Sequence, residues 1–208
     1  MADKLKLSKF VVICGIDGSG KTSLLKNIAN HFPNWYISHW TQLGHVDEQG
    51  WSGVFRLGSH PADYIHMLSP MRRALFIATI VWSEFEELIK PRLENGSFVI
   101  SDSYYYKFLA KEKVYNQTDS VFYKMLDMLP NPDYIIMIDI DPIIACNRKT
   151  EFTSYETIGS SLDERINFQS VVRQQLFEIV RPIPHTIING DQSKNEVFSD
   201  VLHVLSNL

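Results

Sequence analysis

The sequence predicts an α/β protein with a five-stranded parallel sheet and helices on both faces. Two observations carry this prediction: short apolar runs alternate with helical segments from end to end, and a glycine-rich motif separates the first run from the first helix. Such alternation is typical of parallel sheets, because each crossover helix covers the sheet. No repeat, low-complexity tract or linker divides the 208 residues, so we expect one domain over residues 1–208.

The first half of the chain predicts two strands and two helices. The longer helix begins at Ser69-Pro70, because Ser69 suits the cap and Pro70 suits the first turn. Residues 42–60 contain four glycines and no period, which predicts a functional loop. We expect strands at 10–14 and 35–40, and helices at 21–32 and from 69–70 to 95–96.

The second half predicts three strands and four helices. The run 134–138 is apolar throughout, as a central parallel strand should be. Asp141-Pro142 begins a helix with an acidic cap and a proline in the first turn, while 150–161 is polar without a period. We expect the other strands at 98–101 and 185–188, and the other helices at 118–129, 162–180 and 193–205.

Composition limits the kinds of partner. The net charge of -4 disfavours a nucleic acid polymer, which usually requires a basic excess, but leaves room for a local basic pocket. The two cysteines, Cys14 and Cys146, do not make a disulfide framework. The polar N-terminus does not resemble a signal peptide, and the apolar runs are too short for a membrane span. We therefore expect a cytoplasmic protein without a membrane partner.

The glycine-rich motif predicts a nucleotide site. Residues 15–22 read Gly-Ile-Asp-Gly-Ser-Gly-Lys-Thr, which fits the P-loop pattern G-x-x-x-x-G-K-[ST] in the required strand–helix context. Its glycines let backbone N–H groups face phosphate oxygens, Lys21 would reach the β- and γ-phosphates, and the Thr22 hydroxyl would bind Mg²⁺. The sequence thus predicts a P-loop NTPase that binds a nucleoside triphosphate with Mg²⁺. The predicted phosphate-binding residues are Gly15, Gly18, Ser19, Gly20, Lys21, Thr22 and Ser23.

A second acidic group should help to hold the metal. Asp102 and Asp139 each follow an apolar strand, and a strand-end aspartate often caps a turn instead. The pattern by itself does not choose between them.

Several blocks resemble the thymidylate kinases. Besides the loop with Asp17 inside it, the resemblance rests on 74–78, 87–102, 132–142 and 163–173. These blocks follow the family's order and cover nearly the whole chain. The resemblance implies a kinase that transfers a phosphoryl group from ATP with Mg²⁺ to a nucleoside monophosphate, and a homodimer through the helix 70–90.

The resemblance also implies site residues. Asp102 takes the place of the aspartate beside Mg²⁺ and the acceptor, which favours it over Asp139. Asp17 would face the acceptor sugar, and Phe76 would stack on the acceptor base, although a helical phenylalanine is as compatible with the core. Arg148 would bind the donor nucleotide and, with Lys149, begin a lid over it at about 148–162, although a helix-end cation can also be solvated. Arg165 is a further lid-side candidate. The implied catalytic residues are Lys21, Asp102 and Arg148, and the metal ligands are Thr22 and Asp102.

The chain departs from the family where arginines usually hold the acceptor. Ser103, Ile80 and the segment 41–44 stand at those positions. Arg56, Arg72 and Arg73 are candidate replacements, and Tyr104–Tyr106 would either line an acceptor pocket or alternate between packed and exposed. We expect poor turnover of thymidine monophosphate as a result. The predicted acceptor-binding residues are Asp17, Phe76, Ser103, Tyr104, Arg72 and Arg73.

Two alternatives remain at this stage. One is a kinase for a nucleoside, a modified nucleotide or another small hydroxyl compound. The other is a nucleotide-binding regulator without transfer activity, against which Lys21, Thr22 and Asp102 argue. The apolar circumference of the helix 70–90, including Phe76, Ile77, Ile80, Val81, Trp82 and Phe85, supports the expected homodimer.

Overall fold

A computed structural model describes residues 8–43, 65–115, 120–149 and 151–208. The described part contains a five-stranded parallel sheet, as the alternation of strands and helices predicted. Its strand order is β2-β3-β1-β4-β5. The strands are β1 Lys9–Cys14, β2 Tyr36–Ser38, β3 Phe98–Asp102, β4 Tyr134–Asp139 and β5 His185–Asn189.

Helices cover both faces of the sheet. The described α-helices are α1 Lys21–His31, α2 Pro70–Ser83, α3 Lys90–Glu94, α4 Tyr106–Val114, α5 Ser120–Asp127, α6 Pro142–Arg148, α7 Leu162–Val180 and α8 Lys194–Leu205. Reciprocal caps fix the starts of α7 and α8, where Ser161 pairs with Glu164 and Ser193 with Glu196. Pro70 occupies the first turn of α2 as predicted, but Ser69 makes no side-chain capping bond. No described helix is long and apolar enough to cross a membrane.

The core has two parts, one on each face of the sheet. On one face, α1 and α8 pack against alternate side chains of the strands, such as Val11 and Ile13. On the other face, α2, α4, α5 and α7 cover Val12 and Cys14. The strand residues point alternately to the two faces, as the period of two in an extended chain requires. Both cysteines are buried and free.

The predicted strand 35–40 is too long. The sheet pairing ends at Ser38, and Trp40–Gln42 forms a 3₁₀ turn. His39 causes the change, because its ring nitrogen accepts a hydrogen bond from the Thr41 backbone while the Gln42 side chain accepts one from the His39 backbone. These local bonds replace the ladder bonds that a strand would need.

The helix α4 was not predicted, and the interpretation of the three tyrosines at its start needs correction. Tyr104, Tyr105 and Tyr106 are all buried, so an alternating pattern of packed and exposed rings is wrong. The Tyr104 ring packs edge-on against Phe10 at 5.1 Å, in the core under β1. Three bulky rings at consecutive positions fit here because the chain bends sharply out of β3: Ser103 and Tyr104 have φ values of 68° and 46°.

The predicted helix from 70 to 95 is helical throughout, but with a change of pitch. A π turn, Glu84–Ile89, joins α2 to α3. Glu84, inside this turn, has no exposed surface and accepts hydrogen bonds from Ser38 at 2.7 Å and Ser101 at 3.0 Å. The wider turn thus places a carboxyl group under β2 and β3, close to the ends of both strands.

Candidate active site

The glycine-rich loop connects β1 to α1 and wraps around Lys21. The Lys21 ammonium donates hydrogen bonds to the carbonyl oxygens of Gly15 at 2.8 Å and Ile16 at 3.0 Å, and to Ser19 Oγ at 3.1 Å. Burial lowers the pKa of Lys21 to about 8, and the nearby Lys107 acts in the same direction. Gly18 has φ 84°, and a Cβ there would meet the Ala145 carbonyl oxygen at 2.2 Å. The loop therefore packs tightly against the next helix of the site, α6.

A cleft of about 800 Å³ extends from this loop across the carboxyl ends of the strands. Among the described residues, five cationic side chains and three carboxylates line it, leaving His39 aside. The excess of two positive charges contrasts with the net charge of -4 for the chain and suits a polyphosphate. The described lining residues are Asp17, Gly18, Ser19, Gly20, Lys21, Thr22, Ser23, Leu24, Asn27, His39, Asp102, Lys107, Arg148, Lys149, Glu156, Gly190, Gln192, Ser193, Lys194 and Val197.

The two candidate carboxylates for the metal have different surroundings. Asp102 pairs in register with Ile13 of β1, so it lies beside the start of the loop and lines the cleft. Ser103 donates to its Oδ1 at 2.9 Å, and His39 Nε2 is 3.6 Å from its Oδ2. Asp139 instead receives two hydrogen bonds from Arg173, at 2.5 Å and 2.7 Å, and is absent from the described lining. Only Asp102 of this pair faces the cleft.

The turn that follows Asp102 is strained. Two consecutive residues other than glycine with positive φ are uncommon, and such strain clusters at functional sites. The Ser103 backbone N–H donates to the Ile13 carbonyl at 2.9 Å, which ties the turn to β1. Ser103 is thus placed to orient Asp102, and Tyr104 packs in the core. Neither residue, both predicted to bind the acceptor, contributes to the described lining of the cleft.

Asp17 is the centre of a buried charge cluster. Its Oδ1 lies 3.2 Å from Lys107 Nζ and its Oδ2 lies 2.8 Å from Lys111 Nζ. Burial by itself would raise the pKa of Asp17, but Lys107, Lys111 and Lys21 together hold it well below the usual value. Both oxygens of the carboxylate are therefore already engaged, and an acceptor hydroxyl would have to share them.

Gln169 joins the loop to the segment between α6 and α7. Its Oε1 accepts from the Asp17 backbone N–H at 3.2 Å, and its Nε2 donates to the Glu156 carbonyl at 2.8 Å. Gln169 has no exposed surface, and Glu156 in turn pairs with Lys149 at 2.7 Å. A single amide of α7 thus fixes the position of the loop relative to residues 149–156.

Sequence reasoning missed four residues of this arrangement: Lys107, Lys111, Gln169 and His39. The lysines are four residues apart, so they share one face of α4, but the helix itself was not predicted. Gln169 is 152 positions from Asp17 in the chain, and no local pattern connects the two.

The remaining predicted residues lie in different places. Arg148 lines the cleft and donates to the Gly190 carbonyl at 2.9 Å. The guanidinium carbon of Arg165 lies 5.3 Å from the centre of the Phe152 ring, and Arg165 is not part of the described lining of the cleft. Phe76 is half-buried against the core.

The two described candidate arginines, Arg72 and Arg73, do not line the cleft. Arg73 is buried and donates to Glu112 at 2.7 Å, while its guanidinium lies 4.9 Å from the Tyr115 ring centre. Arg72 is exposed on α2. Arg56 lies outside the described residues.

A parallel sheet with a phosphate-cradling loop after its first strand, a buried lysine in that loop and an aspartate on the neighbouring strand defines a P-loop nucleotide-binding protein. A family model for thymidylate kinase matches residues 13–201. The chain belongs to the thymidylate kinase family, and it is an enzyme of the phosphotransferase class with nucleotide kinase activity.

Individual relatives are distant in sequence. A probable thymidylate kinase of Pyrobaculum aerophilum is 24% identical over 199 residues, which cover 96% of this chain and 97% of that protein. The thymidylate kinase of Mycoplasma genitalium is 28% identical over 205 residues, with 90% of each chain covered. The crystal structure of thymidylate kinase from Ehrlichia chaffeensis superposes with a TM-score of 0.66 at 21% identity, covering 95% of this chain and 98% of that one.

Proposed function

We propose that the protein transfers the terminal phosphoryl group of ATP, with Mg²⁺, to a nucleoside monophosphate, and that it does so as a single domain in the cytoplasm. The observation that carries this proposal is the cationic cleft that joins the Lys21 loop to Asp102. Phosphoryl transfer needs little covalent chemistry from the protein, and it depends on positioning and on positive charge around the phosphoryl oxygens.

The donor half of the cleft supports ATP. Lys21 and the N-terminus of α1 suit the β- and γ-phosphates. Arg148 and Lys149 lie at the end of α6, in position to act on the donor from a lid over about 148–162. The Lys149–Glu156 pair would hold such a lid in place, and water would be excluded when it closes.

The residues present fit a magnesium ion. Thr22 and Asp102 line the same cleft and offer the oxygen ligands that Mg²⁺ prefers. When bound, Mg²⁺ would supply positive charge that offsets the negative charge developing during phosphoryl transfer. Ser103 would hold the Asp102 carboxylate in the orientation required, through its 2.9 Å hydrogen bond.

A kinase for a nucleoside or another small hydroxyl compound remains the second candidate. It is favoured by the state of the two described candidate arginines, since Arg72 is exposed and Arg73 is paired with Glu112. A panel of nucleoside monophosphates and their parent nucleosides, assayed with ATP and Mg²⁺, separates this candidate from the first. A regulator without transfer activity would phosphorylate neither group.

The experiment that tests the donor assignment changes Lys21 to Ala. ATP with Mg²⁺ should raise the unfolding midpoint of the wild type, because a ligand that binds only the native state stabilises it. In Lys21→Ala this shift should shrink, and transfer should fall by at least about 100-fold, since one cation at the transferring phosphoryl group is lost.

The matched control is Lys26→Ala, which removes an exposed lysine from the same helix. It should leave both the midpoint shift and the rate as in the wild type. Wild-type rates in Lys21→Ala would contradict the donor assignment.

A further inference from the structure

Lys107 lies in the first turn of α4, on the wall of the cleft. About 24% of its side chain is exposed, and it shares the described lining with Lys21, Asp17 and Asp102. Lys111, one turn further along α4, differs: 3% of its side chain is exposed, it lies 5.0 Å from the Tyr155 ring centre, and it does not line the described cleft. The two lysines that meet at Asp17 are therefore not equivalent.

The hydrogen bonds of Lys107 leave room for a ligand. An ammonium group has three N–H donors. Within the described ranges, Lys107 Nζ makes one hydrogen bond, to Asp17 Oδ1 at 3.2 Å. Asp17 is shared with Lys111, which lies 2.8 Å from its other oxygen, so the remaining donors of Lys107 are available to a ligand in the cleft.

The sheet order decides which side of the loop Lys107 serves. The loop follows β1, at the centre of the order β2-β3-β1-β4-β5. Lys107 and His39 follow β3 and β2 on one side, whereas Arg148 and Lys194 follow β4 and β5 on the other. Donor and acceptor must approach the transferring phosphorus from opposite sides, because the displacement is in line. With Arg148 on the donor side, Lys107 belongs to the acceptor side.

Two ammonium groups, those of Lys21 and Lys107, thus converge on one part of the cleft. Like charges repel in a partly desolvated site, and Lys107 contributes to the lowered pKa of Lys21. Asp17 and Asp102 act on both lysines and offset part of this repulsion, and an anionic ligand in the cleft would offset more of it. A phosphate monoester, with nearly two negative charges, suits such a site better than a neutral hydroxyl compound does.

We propose that Lys107 binds the phosphate of the acceptor and thereby makes a phosphorylated acceptor a requirement of this enzyme. This inference rests on the proposed kinase function and deepens its acceptor half. Lys111 and Gln169 act as positioning residues, since they hold Asp17, which in turn holds Lys107 on the cleft wall.

The test compares Lys107→Met and Lys107→Arg with the control Lys113→Met, which removes an exposed lysine from the same helix. The probes are the deoxynucleoside monophosphates of thymidine, uridine, cytidine, adenosine and guanosine, and the five parent nucleosides. For the monophosphate that the wild type turns over best, kcat/KM should fall about 100-fold in Lys107→Met, as expected when a cation facing a phosphate is removed. Lys107→Arg should restore most of it, and Lys113→Met should match the wild type.

The readouts separate phosphate binding from a structural role. Calorimetry should show weaker binding of the monophosphate to Lys107→Met, with binding of the parent nucleoside and the ATP-induced midpoint shift unchanged. Equal losses for monophosphate and nucleoside, or no loss at all, would overturn the assignment of Lys107. The kinase proposal would still stand in that case, provided that transfer depends on Lys21. If the wild type phosphorylates none of the ten probes, both fall. Should Lys107→Met not fold, Lys107→Gln, which can still donate to Asp17, replaces it.

Discussion

Glu84 is a carboxyl group without exposed surface, held between β2 and β3 by two serine hydroxyls. Burial raises its pKa from 4.5 to about 7, and the neighbouring Asp102 acts in the same direction, while the hydrogen bonds from Ser38 and Ser101 oppose the rise. Its Oε2 has no hydrogen-bond partner among the described residues. Ionisation of Glu84 therefore costs folding energy, because the charged form is better solvated in the unfolded chain.

The sign of the effect follows from proton uptake. Between about pH 4.5 and 7 the native state binds more protons at Glu84 than the unfolded state, so this group makes stability fall as the pH rises through that range. For Glu84→Gln we expect this part of the pH dependence to disappear. The difference in unfolding free energy between variant and wild type should change by roughly 3 kcal/mol between pH 5 and 8, in favour of the variant.

Urea unfolding at several pH values measures this difference, with Glu87→Gln, an exposed neighbour, as control. Burial lowers the pKa of His39, so His39 contributes a change of opposite sign near its usual pKa of 6.5. That contribution is common to all the proteins and cancels in the comparison. Parallel pH profiles for Glu84→Gln and the wild type would show that Glu84 is ionised without cost.

Among the elements around the site, the phosphate loop and α6 approach each other closely at Gly18. Gly18 and Gly20 both have left-handed backbones, with φ of 84° and 88°. A Cβ at Gly18 would meet the Ala145 carbonyl oxygen at 2.2 Å, whereas a Cβ at Gly20 meets no atom of the described residues within 4 Å. The two glycines thus share the backbone requirement but differ in packing.

We expect Gly20→Ala to lower the unfolding free energy by about 1 kcal/mol, the cost of a left-handed backbone for alanine. Gly18→Ala should cost roughly 3 kcal/mol, because the backbone of the loop must also move away from α6. Urea unfolding without nucleotide compares the two variants directly. Equal losses would mean that the contact between the loop and α6 yields easily.

Across the molecule, most of the apolar side chains that the sequence suggested for a homodimer interface pack inside the chain. Ile77, Ile80, Val81 and Phe85, which the sequence suggested for an interface, are buried within the chain. The exposed apolar side chains of α2 are Met71 and Leu75, one turn apart, and each is 50% exposed. We propose this shorter patch as the contact between two copies of the chain.

Leu75→Glu should therefore shift the protein from dimer to monomer at micromolar concentration, since a charge would be buried in the interface. Light scattering or sedimentation measures the mass. Leu162→Glu is the matched control, with 48% exposure at the start of α7, and should remain dimeric. A monomeric wild type, or a dimeric Leu75→Glu, would contradict the proposal.

Local sequence patterns predicted five strands, most of the helices and the glycine-rich loop, and the structure contains all of these elements, with β2 shorter than predicted. These features depend on residues close together in the chain. The turn at Gly18, the capping pair of Ser161 and Glu164, and the apolar run of β4 are each complete within a few positions. The resemblance carried by such local blocks was also enough to identify the family.

The contacts between these elements join residues that are distant in the chain, so they are visible in the folded structure and not in the sequence. Asp102 and Asp139 look alike as strand ends, and the register of β3 on β1, with Arg173 on Asp139, distinguishes them. The candidate arginines Arg72 and Arg73 do not line the described cleft, whereas Lys107, which no local pattern marks, reaches Asp17 across 90 positions. Charge pairing depends on distance in space, which strand order and helix packing set, and no local pattern of residues encodes it.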